Sequence, residues 1–193
     1  MNRQLTFGQY RAMDVFFLTA LLCVCETLAV LAATRWFPGE PYTLSLTSAV
    51  TALVLVRWGI FAAVPALCGG LAFCLFSGAG IAQYLIYCLG NLLSLALLPL
   101  IRKIGWKKLR ENVLLTLLYG LLAAVLMQLG RAALALLLGH SFAVCLGFVT
   151  TDILSTLFSM LIVWICRRLD GMLEYQPHYL KRVQEEIERG KGE

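Results

Sequence analysis

Apolar residues run along this chain in blocks too long and too continuous for the faces of soluble helices. They occupy residues 14–34, 43–56, 59–77, 82–101, 112–138 and 147–166. Short segments rich in glycine, proline or charge separate them. An apolar run of about 18 or more residues with few charges reads as a membrane-crossing helix. The pattern predicts an all-α, polytopic membrane protein, a bundle of six transmembrane helices over residues 1–170. The second block is short for a crossing and implies little tilt or local thinning, whereas the long fifth block implies tilt or projection. Pro65 and Pro99 fall inside blocks, where neighbouring helices must satisfy the freed carbonyls. The first block passes through Glu26 and exceeds the length of a signal-peptide core, so it reads as a retained span. After Arg167 the pattern changes. Met172, Tyr175, Tyr179, Leu180, Val183 and Ile187 recur at helical spacing, opposite Lys181, Arg182, Glu185, Glu186 and Glu188. Residues 171–193 are expected to form an amphipathic cytoplasmic tail lying on headgroups or on a partner.

Composition narrows this further. Of 193 residues, 60% are hydrophobic and 14% charged, against about 45–50% and 25% in soluble domains. A water-soluble globule and a disordered chain are both excluded, and no length is left for a separate soluble catalytic domain. The formal net charge of +5 does not point to nucleic acid, because the cations sit in short connections. Six spans with both termini inside put 14 of the 16 Lys and Arg residues on the cytoplasmic side, leaving Arg35 outside and Arg131 within a span. That asymmetry is the signature of a multi-pass protein of the cell membrane. The seven cysteines lie in apolar blocks without CxxC or Cys/His spacing, which favours packing over metal binding. No GxSxG, HExxH or nucleotide-binding loop is present, Ser77 lacks a partner base, and His140 and Asp152 on adjacent outer segments are too little for a hydrolase. No enzyme activity, metal or cofactor is expected.

Ionisable groups inside spans are costly and mark functional positions. Glu26, Arg131 and Asp152 are the clear cases, and at about 1.5 Å per residue all three fall in the outer half of the bilayer. Uncharged polar groups accompany them. Gln83, Tyr84, Tyr87 and Asn91 line one face of the fourth span, and Gln128 shares a face with Arg131. Asp152, Ser155, Thr156 and Ser159 run down the sixth, and Thr43, Ser45, Thr47 and Ser48 open the second. The inner halves are mostly Leu, Ala, Val and Ile. A polar pocket open to the outside and sealed below follows. In it, Arg131 captures an anionic group while Asp152 or Glu26 accepts from a donor, or else Arg131 and Asp152 simply clamp two helices together. Tyr84, Tyr87 and Trp36 leave room for an aromatic ring. Small residues four apart (Ala29 and Ala33; Ala62, Ala66 and Gly70; Gly120 and Ala124) allow close helix approach, within the bundle or toward a partner.

These residues give the chain a family likeness. The segment from Leu46 to Gly70 (LTSAVTALVLVRWGIFAAVPALCGG) and that from Gln83 to Asn91 (QYLIYCLGN) resemble parts of the substrate-binding S components of energy-coupling factor (ECF) vitamin transporters. The likeness in layout covers about residues 10–170. It implies capture of a vitamin-like solute from outside in a bacterial membrane, in a pocket of the last three helices beneath lids at Arg35 to Tyr42 and Gly78 to Ile81. It also implies a transmembrane coupling subunit and two cytoplasmic ATPases as partners. Family members dock the coupling subunit through small residues toward the cytoplasmic end of the first helix. Here Ala29 and Ala33 have the spacing but lie near the outer end, so the stripe of Ala62, Ala66 and Gly70 is the other docking candidate. The competing likeness is to a cell-shape scaffold, the D subunit of the bacterial rod complex, which shares size, span count and a cytoplasmic tail.

Overall fold

A computed structural model describes residues 6–36 and 44–190. The elements are α1 (Phe7–Trp36), α2 (Thr47–Trp58), α3 (Ala63–Ser77), α4 (Ile81–Gly90), α5 (Leu98–Ile104), α6 (Trp106–Glu111), α7 (Val113–Leu137), α8 (Phe142–Thr150), α9 (Ile153–Cys166) and α10 (Gln176–Gly190). Turns of 3₁₀ helix, Gly59–Ala62 and Asn91–Leu97, join α2 to α3 and α4 to α5. There is no strand among the described residues.

Five helical stretches are long and apolar enough to cross a membrane: Phe7–Trp36, Thr47–Ser77, Ile81–Ile104, Val113–Leu137 and Phe142–Cys166. The second is not one rod. At Gly59 the backbone takes φ 62° and ψ −123°, a conformation that suits a residue without a side chain. The chain doubles back there, so that Thr47 at the start of α2 packs against Gly69 of α3. The expected short second span and its successor are thus an antiparallel hairpin. α2 is about 18 Å long, and 11 of its 12 residues are buried. A helix so short avoids hydrophobic mismatch here because protein surrounds it. Around it, Tyr119 Oη of α7 donates to the Ala52 carbonyl at 2.7 Å, and Ser155 Oγ of α9 accepts from the Ser45 N–H at 3.0 Å.

Polarity is inverted relative to a soluble protein. Glu26, Asn91, Arg131 and Asp152 are buried, while Phe16, Leu28, Leu114, Leu137 and Leu157 are exposed. Such a surface is an interaction site for lipid rather than water. Pro65 and Pro99 lie within the stretches Thr47–Ser77 and Ile81–Ile104, where a 3₁₀ segment gives way to α-helix. They are the third residue of α3 and the second of α5, in the first turn, where proline is best tolerated. Asn112 caps α7, its side chain accepting from the Leu114 and Leu115 N–H groups at 3.0 and 3.2 Å.

α1 and α2 are antiparallel, pairing Asp14 with Arg57 at one end and Glu26 with Thr47 at the other. The first end is the basic one. There Arg57 Nη1 donates to the Gly171 carbonyl at 2.6 Å. The expected division at residue 170 therefore falls inside a packed segment: Leu173 belongs to the core with Val15, Trp58 and Leu109. Glu174, also buried, pairs with Arg110 and Arg182. Only α10, beginning at Gln176, is the expected amphipathic helix. Packing between α7 and α9 is close as well, since a Cβ at Gly120 would lie 3.0 Å from Met160 Cα. Gly120→Ala is expected to cost about 1–3 kcal/mol through overpacking, seen as a lowered unfolding midpoint. An unchanged midpoint would mean that α9 gives way freely.

Candidate functional site

The end of the bundle opposite Arg57 gathers polar side chains from five helices. On α7, Arg131 donates through Nη1 to Asp152 Oδ2 at 2.7 Å and through Nε to Asn91 Oδ1 at 2.8 Å. Asn91 passes the bond on, its Nδ2 donating to the Ala66 carbonyl at 2.9 Å. The guanidinium lies 4.7 Å from the ring centre of Tyr87, a cation–π contact strengthened by exclusion of water. Tyr87 in turn stacks on Phe73 at 4.6 Å and meets Phe148 edge-on at 5.8 Å. The Arg131 and Asp152 side chains are 6% and 8% exposed. Gln128, one turn before Arg131, donates to Thr156 Oγ1 at 2.8 Å.

Close backbone approach makes this geometry possible. Gly90 and Gly130 face each other where α4 meets α7, and a Cβ on Gly90 would lie 2.7 Å from the Arg131 nitrogen. A Cβ on Gly130 would collide with the Gly90 carbonyl. Only with both side chains absent does Asn91 come within reach of Arg131.

Glu26 of α1 forms the second half of the site. Its Oε1 accepts four hydrogen bonds, from Ser45 Oγ (2.7 Å), Leu46 N (2.7 Å), Thr47 N (2.9 Å) and Thr47 Oγ1 (2.8 Å). α2 has no side-chain cap of its own, so a carboxylate from another helix takes up its orphan N–H groups and complements its dipole. Glu26 Oε2 is buried with no hydrogen-bond partner. The two halves meet across a space lined by Ser45, Thr47, Gly69, Gly70, Phe73, Tyr87 and Arg131. That space is too narrow to admit a water molecule.

Five expected site residues therefore come together, Tyr87, Asn91, Gln128, Arg131 and Asp152, while a sixth, Glu26, adjoins them only through Ser45 and Thr47. The other three do not join them. Gln83 is exposed and caps its own helix, accepting from the Gly80 N–H at 2.8 Å. Tyr84 is half-buried outside the lining of this space, and Trp36, 72% exposed, ends α1. The expected lid at Arg35 to Tyr42 lies mostly outside the described residues, and the Gly78 to Ile81 turn is a largely exposed connection. Of the docking candidates, Ala62 and Ala66 are fully buried, and Gly70 sits against the Tyr87 carbonyl. That stripe packs α3 onto its own neighbours, whereas Ala29 and Ala33 are half-buried. Phe73 and Phe148 belong to the site without having been marked by the sequence, since aromatic residues in apolar blocks look like any other lipid-facing bulk.

Among the described residues no three His, Cys, Asp or Glu side chains gather as a metal site requires. All seven cysteines are free thiols. No protein-family model matches the chain, and neither a curated protein nor a solved structure does.

Proposed function

We propose that this chain is a solute-binding subunit of a membrane importer resembling the ECF type, with six crossings and both termini on the cytoplasmic side of the cell membrane. The observation that supports it best is the linked set of buried ionisable groups at the end of the bundle opposite Arg57. Arg131 lines one small space together with Ser45 and Thr47; Asp152 pairs with Arg131 behind it, and Glu26 holds Ser45 and Thr47. A bundle that only needed to cohere would do as well with apolar side chains there. In the unloaded state Asp152 holds Arg131. A solute with a carboxylate or phosphate takes over the guanidinium, its ring packs against Tyr87, and a donor reaches Glu26 Oε2. Because the space has no room for a water molecule, binding requires α4 and α7 to separate far enough to open a cavity of solute size, about 300 Å³ or more. The chain carries no nucleotide-binding loop, so energy comes from ATPase partners through a coupling subunit.

Native mass spectrometry of gently extracted protein tests this. A co-purifying small molecule and ATPase subunits are the expected findings. In a panel of vitamin-like solutes, one at 100 times its Kd should stabilise the protein by about 2.7 kcal/mol. Absence of any retained molecule, together with no thermal response across the panel, would overturn the reading. The scaffold reading draws on one feature, the exposed charged face of α10 at the basic end. Co-purification with cell-wall synthesis proteins in place of ATPases would favour it.

A further inference from the structure

The basic end carries a cavity remote from the polar cluster. It has a volume of about 520 Å³ and is lined by Trp106, Lys107, Arg110, Arg167, Arg168 and Arg182, with Glu111 as its one carboxylate. Two of the five cations are already neutralised, because Arg110 and Arg182 both pair with Asp170 and Glu174 at 3.0–3.3 Å. No described carboxylate is in salt-bridge contact with Lys107, Arg167 or Arg168. Arg167 is held in place by its own chain, Nη1 donating to the Arg110 and Glu111 carbonyls at 3.3 Å. Its Nε is buried with no acceptor. Arg168 lies over the Trp164 ring at 4.7 Å.

The cavity's place in the fold decides what it takes. It sits where the apolar length of α7 begins and that of α9 ends, the level of a membrane–water boundary. Trp106 and Trp164 flank it, and tryptophan is the residue type that settles at that boundary. From it, α9 exposes Leu157, Leu161 and Ile165 at four-residue spacing, a lipid-facing stripe that ends at Arg168. The geometry points to a binding site for an anionic phospholipid, with the headgroup phosphate against Lys107, Arg167 and Arg168 and an acyl chain along the α9 stripe. A free anion would use the cations and leave the stripe unused. A zwitterionic lipid would bring its own cation toward Lys107, Arg167 and Arg168. Arg182 comes from α10, so the site is complete only when that helix is docked, and an occupied site holds the helix down.

The test needs no knowledge of the transported solute. Full-length protein in detergent is stripped of lipid, then titrated separately with phosphatidylglycerol and phosphatidylcholine, and retained lipid is read by native mass spectrometry. Phosphatidylglycerol should stay bound where phosphatidylcholine does not, and retention should fall as salt rises. K107Q/R168Q should weaken phosphatidylglycerol binding about tenfold or more. Both side chains are exposed, so the unfolding midpoint should not move. Equal retention of the two lipids, or unchanged binding by the double variant, overturns the proposal. Displacement of phosphatidylglycerol by millimolar inorganic phosphate overturns the lipid assignment in favour of a soluble phosphate ligand.

Discussion

Arg57→Leu is expected to lower stability by about 3–5 kcal/mol and to free the C-terminal helix from the bundle. Arg57 is 7% and Asp14 17% exposed. The guanidinium makes a two-pronged pair with the carboxylate, Nε to Oδ2 at 2.9 Å and Nη2 to Oδ1 at 2.8 Å. Trp58 Nε1 also donates to Asp14 Oδ2, at 2.5 Å. The remaining nitrogen, Nη1, reaches the Gly171 carbonyl. One side chain thus fastens α2 to α1 and to the segment leading into α10. Removing it strands a mostly buried carboxylate and takes a strong donor from Gly171, whose carbonyl keeps only Gln176 Nε2 at 2.6 Å. Denaturant titration in mixed micelles reads the stability, and limited proteolysis reads the release as new cleavage at residues 171–175. Asp14→Asn should lose stability too but keep the tail docked, because the Gly171 bond survives. A loss under about 1 kcal/mol in both variants would mean that water reaches the pair and screens it.

What the sequence made legible divides by physical scale. Blocks of about 20 apolar residues announce helices unmistakably, and each block expected here is mostly helical among the described residues. The second opens on the non-helical residues 44–46, and the sixth is broken at Thr151 and Asp152, between α8 and α9. The second and third join in a hairpin whose reversal falls at Gly59, where the sequence already broke. Arg131, Asp152, Asn91 and Gln128 were legible because a charge or amide in an apolar block has few tolerable surroundings other than one another. Position within a block carried less. Gln83 and Tyr84 share a helix face with Tyr87 by periodicity, yet they lie nearer the helix end, where Gln83 finds its own backbone to bond. Asp14 and Arg57 stayed hidden for the opposite reason. Both stand at block edges, where charge is ordinarily solvated and reads as topology, and only the fold shows that the two edges meet. The same holds for Leu173 and Glu174, whose burial under the basic end an amphipathic repeat does not reveal. Four-residue spacing of Ala62, Ala66 and Gly70 states that a helix comes close, but not which one; the fold supplies α4.

Breaking the Arg131–Asp152 pair from one side should be far more damaging than removing it whole. Arg131→Met leaves Asp152 buried without its counter-ion and Asn91 Oδ1 without its donor, a loss of about 3–5 kcal/mol for an uncompensated buried charge. Asp152→Leu strands the guanidinium in the same way. The double variant, R131M/D152L, replaces both charges with side chains of similar bulk and should recover at least about 2 kcal/mol of either single loss, since apolar packing often matches a buried ion pair. Stability alone would then describe a clamp between α7 and the start of α9. The solute reading adds a second consequence. A ligand that shifts the unfolding midpoint of the native chain should leave that of the refolded, stable double variant unmoved, because the groups that contact it are gone. If the double variant recovers stability and still responds to that ligand, Arg131 and Asp152 serve only to hold helices together, and solute recognition would have to rest on Glu26 and Tyr87 instead. If the two single losses simply add in the double variant, the four packed neighbours of the pair (Asn91, Tyr87, Gly90 and Gly130) are shaped around the charges themselves, and the coupling energy between the two positions falls near zero.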